Sequence, residues 1–214
     1  MVSFCSDDLG SFYLDILKDR LYTSGENSAV RRAAQSALHH ITHTFMRLIA
    51  PILSFTADEI WQTLELGEQS VFEDIWYNIP AHGLQANRIE AWQAIISARS
   101  IAAKEIELLR SEGKVGSSLQ AEITITVDKS TYLTIQDFAP DLHFLMITSK
   151  ATLQTIPEVN DSSTIAVSVQ ASTSKKCERC WHYRADVGSH VEHPTICGRC
   201  VSNLFGAGEV RKYA

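Results

Sequence analysis

Four cysteines near the C-terminus form two matched pairs whose spacing is typical of a metal site. Cys177 and Cys180 enclose two residues, Cys197 and Cys200 enclose two more, and 16 residues separate the pairs. Four thiolates at this spacing suit a closed tetrahedral Zn²⁺ site that stabilises a short segment and leaves no position for a substrate. The pattern therefore predicts one structural Zn²⁺. A coloured iron site of the rubredoxin type, built from the same sulfurs, is the alternative.

The residues around these cysteines have side chains that can contact RNA. Trp181 directly follows a predicted ligand, and a flat ring held there could stack on an unpaired base. Arg179 and Arg199 occupy matching places inside the two pairs and could contact phosphate or a base edge. Further cations of this segment are Lys175, Lys176 and Arg184. The alternatives are that the ring covers the core of the ribbon and that the two arginines neutralise the thiolates.

Composition limits the classes of function. The 214-residue chain has a formal net charge of -6, which argues against a generally basic nucleic-acid-binding protein. Residues 175–214 are the exception, with seven Lys and Arg against four Asp and Glu. Five cysteines arranged as two pairs and a lone Cys5 favour a reducing, cytoplasmic location over a disulfide framework. No apolar run approaches the roughly 18 residues of a membrane span.

Apolar residues at helical spacing predict four helices in the first half of the chain. They begin near Ser6, Ser28, Thr56 and Asn87. Thr56 would start a capping box, and Gly113 would end the fourth helix. Ile89 and Ile96 are among the residues expected to be buried by that helix. His39, His40 and His43 share a helical face but lack the glutamate and third ligand of a metal site, so a structural role is predicted.

The period changes to two after Gly116, where residues 123–127 alternate as a half-buried strand. Two more strands, a short helix after Pro140 and a turn at residues 160–163 complete a small α/β layer. The predicted fold class is α+β, mainly α. An antiparallel helical bundle (1–115) is followed by a small α/β domain (116–172) and a four-cysteine zinc ribbon (173–214).

Several sequence runs carry a family resemblance. Residues 12–22 and 50–61 resemble the anticodon-binding bundle of class I aminoacyl-tRNA synthetases. The run 116–121 and the two cysteine pairs, read as Cys-Glu-Arg-Cys-Trp-His and Cys-Gly-Arg-Cys, are similar to the C-terminal end of bacterial isoleucyl-tRNA synthetases. The resemblance extends over essentially the whole chain.

The resemblance implies a C-terminal fragment of a cytoplasmic, monomeric ligase. Its partners would be the anticodon arm of tRNA-Ile and the catalytic core of the same polypeptide, which uses ATP for aminoacylation. Neither ATP-handling motif of the class, His-Ile-Gly-His or Lys-Met-Ser-Lys-Ser, occurs here, so the chain alone should be inactive. Cations expected to follow the anticodon stem are Lys18, Arg20, Arg31 and Arg32. Their alternative role is on the solvated face of a helix.

Two other functions fit parts of the sequence. The ribbon also resembles the zinc finger of formamidopyrimidine-type DNA glycosylases, although Val2 stands where those enzymes need a proline nucleophile. A zinc-stabilised protein-interaction domain without RNA is the second alternative.

Overall fold

The structure is a computed structural model that describes residues 1–67, 69–81, 83–156 and 165–213. The chain forms two compact units, one of Met1–Arg31 with Leu84–Ala214 and one of Arg32–Gly83. The second unit is therefore an insertion into the first.

Helices dominate the first half of the chain. A wide π-helical segment, Phe4–Leu14, runs directly into the first α-helix. The α-helices are α1 (Asp15–Thr23), α2 (Ala29–Ile49), α3 (Ser54–Thr63), α4 (Ala86–Ser111), α5 (Lys129–Ile135), α6 (Leu142–Leu145) and α7 (Gly198–Phe205). The strands are β1 (Ala121–Val127), β2 (Lys150–Thr155), β3 (Ile165–Ala171), β4 (Lys175–Lys176) and β5 (Tyr183–Arg184). Short 3₁₀ turns occupy Val71–Glu73, Ser118–Gln120 and Gln136–Asp141.

Helix α4 supplies one side of the core of the larger unit. Its small and branched residues recur every three or four positions, so they form one buried stripe that packs on the sheet. The stripe consists of Ala91, Ile95, Ala98, Ala102 and Ile106. Ile89 and Ile96 lie off this stripe and are exposed, so the prediction that they are buried was wrong. Gly113 follows the helix with a φ of 71°, as its predicted capping role requires.

A three-stranded mixed sheet forms the layer against α4. Its strand order is β2-β1-β3, with β1 parallel to β2 and antiparallel to β3. Ile123, Ile125 and Val127 are buried while the intervening residues are partly exposed, which confirms the predicted alternation. Ile125 lies opposite Leu153 on one side and Val167 on the other. The turn predicted at residues 160–163 lies outside the described residues.

In the smaller unit, Arg47 of α2 forms hydrogen bonds to the irregular segment that contains Asp74 and Ile75. Its guanidinium donates to the Ile75 carbonyl at 2.6 Å and to the Asp74 carboxylate at 2.7 Å. The same group lies 4.5 Å from the ring centre of Trp61, which is fully buried. Helix α3 begins at Ser54, so the capping box predicted at Thr56 was wrong because Thr56 already lies inside the helix.

The histidines of α2 pack among themselves and against Tyr77. The rings of His39 and His43 are 4.2 Å apart, and His43 stacks on Tyr77 at 4.8 Å. His40 Nδ1 lies 2.6 Å from the Tyr77 hydroxyl. Within the described residues, the four C-terminal cysteines are the single group of three or more ligand-type side chains close enough to share a metal ion. Packing is thus the role that the geometry of these histidines supports.

The predicted α+β class is confirmed, with a helical first half, a small mixed sheet and a C-terminal cysteine cluster. The domain boundaries at residues 115 and 172 and the antiparallel arrangement of the helices stay predictions. No helix of the described ranges is long and apolar enough to cross a membrane.

Candidate metal centre and adjacent cleft

The two cysteine pairs meet in one buried cluster. The Sγ atoms of all four lie within 4.8 Å of one another, and the Cys177–Cys200 and Cys180–Cys197 distances are both 3.8 Å. Zn–S bonds of about 2.3 Å in a tetrahedron place neighbouring sulfurs roughly 3.8 Å apart. The cluster therefore has the dimensions that a tetrathiolate zinc site needs, and the four sulfurs are the atoms that would hold the ion.

The close approach of the sulfurs shifts the pKa values of the thiols in opposite directions. Hydrogen bonds from the neighbouring thiols of Cys197 and Cys200 lower the pKa of Cys180, which favours a thiolate at that sulfur. The Cys180 sulfur in turn raises the pKa of Cys197 to about 11 and also raises that of Cys200. Four thiolates at these distances thus need a cation between them, which is the chemistry expected of a metal site.

The first cysteine pair is attached to the end of α1. Arg179 Nη1 donates to the carbonyl oxygen of Thr23 at 2.7 Å and lies 3.7 Å from Cys200 Sγ. Asn203 Nδ2, from α7, donates to the same Thr23 oxygen at 3.1 Å. A cation beside the last carbonyls of a helix is favourable because these carry partial negative charge. Arg179 therefore connects the metal cluster to α1.

The arginine of the second pair also contacts α1. Arg199 donates to both carboxylate oxygens of Asp19, at 2.8 and 2.9 Å, and its side chain is 7% exposed. Burial alone would raise the pKa of Asp19, but the hydrogen bonds and charges of Arg199 and Arg211 outweigh it and hold that pKa well below its ordinary value. Both terminal nitrogens of Arg199 are thus bonded inside the protein, which favours a structural role over the predicted RNA contact.

The C-terminal tail completes this charge cluster. Arg211, whose side chain is 1% exposed, donates to Asp19 and to Glu209. Its guanidinium carbon lies 3.5 Å from the ring centre of Phe144. Asp141 accepts the next two backbone N–H groups of the tail, at 2.9 and 2.8 Å. The tail is therefore held between α1, the ribbon and the α/β layer.

Trp181 presents its ring to solvent beside the cluster. It is 59% exposed, and its φ of 65° is in the left-handed region that few non-glycine residues adopt. Its N–H donates to the Cys177 carbonyl at 2.9 Å, so the cysteine turn fixes its backbone. The ring borders a cleft of about 460 Å³ whose other walls include Tyr22, Leu119 and Phe144. The exposed ring argues against the alternative that Trp181 covers the ribbon core.

The cations predicted to follow the anticodon stem differ in their exposure and in their partners. Lys18 lines the cleft, is 67% exposed and pairs with Asp15 at 3.1 Å. Arg20 is partly buried on α1, and its Nε has no hydrogen-bond partner among the described residues. Arg31 and Arg32 lie in the first turn of α2, and Arg32 Nη1 donates to Gln35 at 2.8 Å in the smaller unit.

The ribbon cations lie on its paired strands. Lys175 and Lys176 are exposed on β4, and the Lys176 ammonium lies 5.4 Å from the ring centre of Trp181. Arg184 lies on β5 and donates to Asp186 at 3.2 Å. RNA contacts by these residues stay predictions.

The sequence interpretation missed three residues of this region. Tyr22, 77% exposed, is the second aromatic ring of the cleft. Asp19 and Arg211 form the buried charge cluster. The exposed side of α1 gave a signal for Tyr22, because it falls off the helix's apolar stripe. No local signal identifies the other two, since the hydrogen bonds of Asp19 to Arg199 and Arg211 join residues 180 or more positions apart in sequence.

Comparison with known proteins places this geometry in a family. Residues 1–125 match the family described as "Anticodon-binding domain of tRNA ligase". The chain belongs to this family. Residues 174–203 match a second description, "Zinc finger found in FPG and IleRS", which includes all four cysteines.

The relatives of the chain are isoleucine--tRNA ligases. It is 51% identical to the isoleucine--tRNA ligase of Thiobacillus denitrificans over 212 residues, 50% to that of an Azoarcus species and 48% to that of Cupriavidus pinatubonensis. Each match covers 99% of this chain. The chain spans 22% of the length of these relatives. The predicted resemblance is confirmed, and the matched region is the anticodon-binding and zinc-finger part of such enzymes.

Proposed function

We propose that the chain binds the anticodon arm of tRNA-Ile for an isoleucine--tRNA ligase, with one structural Zn²⁺ on its four cysteines. The exposed ring of Trp181, on a backbone bonded to the cysteine turn, is the observation that carries this proposal. An exposed tryptophan costs solvation, and a left-handed backbone costs conformational energy. Such a residue is expected where a ring must meet a ligand.

The cleft has the chemistry of a site for an unpaired base. Trp181 and Tyr22 offer flat rings on which a base can stack, and the cleft between them is lined mainly by apolar side chains. Lys18 and Arg179 line the cleft and Lys176 lies near the Trp181 ring, where these cations can contact the sugar-phosphate backbone. Stacking contributes about 1–3 kcal/mol per base, and phosphate contacts add a salt-dependent term.

Zinc would act through structure alone. When bound, it neutralises the thiolates and joins the two cysteine pairs. Cys177 and Cys180 then keep the turn that orients Trp181. Elemental analysis of the purified chain should give one zinc per chain and a colourless solution, whereas a coloured iron tetrathiolate would contradict the assignment.

A matched pair of tryptophan variants tests the RNA site. Trp181→Ala should weaken binding of a tRNA-Ile transcript by about 10- to 100-fold, as loss of one stacked base predicts. Trp76→Ala is the control, because Trp76 is 61% exposed but lies in the smaller unit. Equal affinities of Trp181→Ala and the unchanged protein, with zinc retained in both, would remove the stacking role.

The activity of a whole ligase is a further part of the proposal. Neither ATP-handling motif occurs in this sequence, so ATP-dependent aminoacylation would depend on residues outside it. The chain alone should therefore release no pyrophosphate with isoleucine and ATP. A cytoplasmic location and a monomeric state are proposed with it.

A DNA glycosylase role has narrower support, because only residues 174–203 match a description that includes those enzymes. A duplex with an abasic site should remain uncut.

A further inference from the structure

The two cysteine-pair arginines, equivalent in sequence, both contact α1. We propose that Arg179, Arg199 and Arg211 are positioning residues that dock the metal ribbon on α1 and so align Trp181 with Tyr22. The proposal rests on the proposed RNA-binding function of that cleft. It gives these arginines a role through other residues, with no direct contact to RNA required of Arg199 or Arg211.

The first docking point is the C-terminal end of α1. Thr23 ends the helix, and its carbonyl accepts from both Arg179 and Asn203, at 2.7 and 3.1 Å. A second nitrogen of Arg179 lies 3.5 Å from the carbonyl of Tyr22. Arg179, which contacts the cysteine cluster, therefore also contacts the backbone of Tyr22, the second aromatic residue of the cleft.

The second docking point is Asp19, one helical turn before Thr23 and on the same face of α1. Arg199 donates hydrogen bonds to both of its carboxylate oxygens, and Arg211 donates to one of them. A fork-to-fork pair fixes distance and orientation together, which a single hydrogen bond does not. Two fixed points on one face determine how the ribbon is rotated about α1.

The third docking point links this pair to the tail. Glu209 lies within 3.4 Å of Arg199, accepts from Arg211 and Asn203 at 2.9 Å each, and donates its own N–H to Asn203 at 2.8 Å. Two carboxylates and two guanidinium groups thus close a cluster whose charges balance. The tail, through Arg211, is part of the ribbon's attachment.

Burial decides between positioning and RNA contact. The side chains of Arg199 and Arg211 are 7% and 1% exposed, so a phosphate cannot reach them without displacing their partners. Buried ion pairs often add little net stability. A different packing of the ribbon on α1 would leave a buried charge unpaired, however, so these pairs select one arrangement of the ribbon. Such a cluster is suited to keeping Trp181 in a fixed position relative to Tyr22.

The decisive variant is Arg211→Met in the full chain, which keeps the length of the side chain and removes the docking charge. A tRNA-Ile transcript should bind about tenfold more weakly, with one zinc per chain retained. The slope of log affinity against log salt should be unchanged, because Arg211 neutralises no phosphate. Lys212→Met is the matched control: it removes the neighbouring, exposed charge and should leave affinity within about twofold.

A spectroscopic reading separates positioning from general loss of stability. With 5-fluorotryptophan incorporated, the ¹⁹F line of Trp181, assigned with Trp181→Phe, should shift or broaden in Arg211→Met. The lines of Trp61 and Trp76, in the smaller unit, should not move. Arg211→Lys can still reach Asp19 and should restore most of the affinity and the original Trp181 line.

Three results would overturn the proposal: unchanged affinity with an unchanged Trp181 line, a shallower salt slope in Arg211→Met, or Arg211→Lys as defective as Arg211→Met. Should the unaltered chain itself fail to bind the transcript, the RNA-binding function fails. The Trp181 line would then still show whether Arg211 positions the ring.

Discussion

Asp19 is one of two carboxylates shared by the buried Arg199 and Arg211, and it accepts both hydrogen bonds of the bidentate pair with Arg199, so its removal should be costly. In Asp19→Ala, Arg199 and Arg211 would lose three charged hydrogen bonds and keep only Glu209 as a carboxylate partner. Hydrogen bonds to charged groups contribute about 1.5–3 kcal/mol each, and breaking a buried ion pair costs about 3–5 kcal/mol in total. Because Glu209 still compensates one arginine, we expect a loss near the lower bound, about 3 kcal/mol.

The control is an aspartate–arginine pair at the surface of the same unit. Asp137 lies 3.4 Å from Arg88 and is 57% exposed. Solvent screens this pair, so Asp137→Ala should lower the free energy of unfolding by less than about 1 kcal/mol. Asp19→Asn, which keeps the shape and one acceptor, should fall between the two.

Hydrogen exchange of peptides from α1 and α7 during urea unfolding measures these losses locally. The expected pattern is a shift of both peptides by the same free energy in Asp19→Ala, with α3 of the other unit unaffected. If Asp19→Ala costs no more than Asp137→Ala, the buried cluster does not couple α1 to the ribbon, and the reasoning from burial is wrong.

Two further predictions concern single side chains. Arg47→Met should lower the free energy of unfolding of the smaller unit by about 3 kcal/mol, because Asp74 and two carbonyls lose their donor. Hydrogen exchange of α3 measures this loss. The control, Arg110→Met, breaks an exposed pair and should cost under about 0.5 kcal/mol. Burial, followed by the charges of His182, Arg184, Arg199 and Arg211, lowers the pKa of His143 to about 4 from its ordinary 6.5. The unfolded imidazole therefore takes up a proton first, and stability should fall by up to about 3 kcal/mol from pH 6.5 to 4. Urea midpoints of His143→Gln should show a shallower fall, and parallel curves would contradict the assignment.

Local patterns predicted much of the fold. The helical stripe of α4 and the alternation of β1 are properties of neighbouring residues, and both appear in the structure. The cysteine spacing predicted the cluster because each pair needs only a two-residue turn to bring its sulfurs together. Ile89 and Ile96 were assigned wrongly because apolar character alone does not tell which face of a helix meets the sheet.

The site was less predictable where its partners are distant in sequence. Arg199 has the same local context as Arg179, yet Asp19, 180 residues away, determines its role. Nothing near Arg211 distinguishes it from the adjacent, exposed Lys212. Such long-range charge pairing is a property of the packed structure, so the sequence indicated cations near the ribbon but not which of them face inward.

The left-handed backbone at Trp181 has a consequence for protein engineering. At a φ of 65°, glycine avoids a strain of roughly 1 kcal/mol that any side chain with a Cβ incurs. Directed evolution for heat resistance alone should accordingly enrich glycine at position 181, and the more stable variants would bind RNA more weakly. A library of this chain therefore needs alternating rounds of selection, one for survival and one for capture of tRNA.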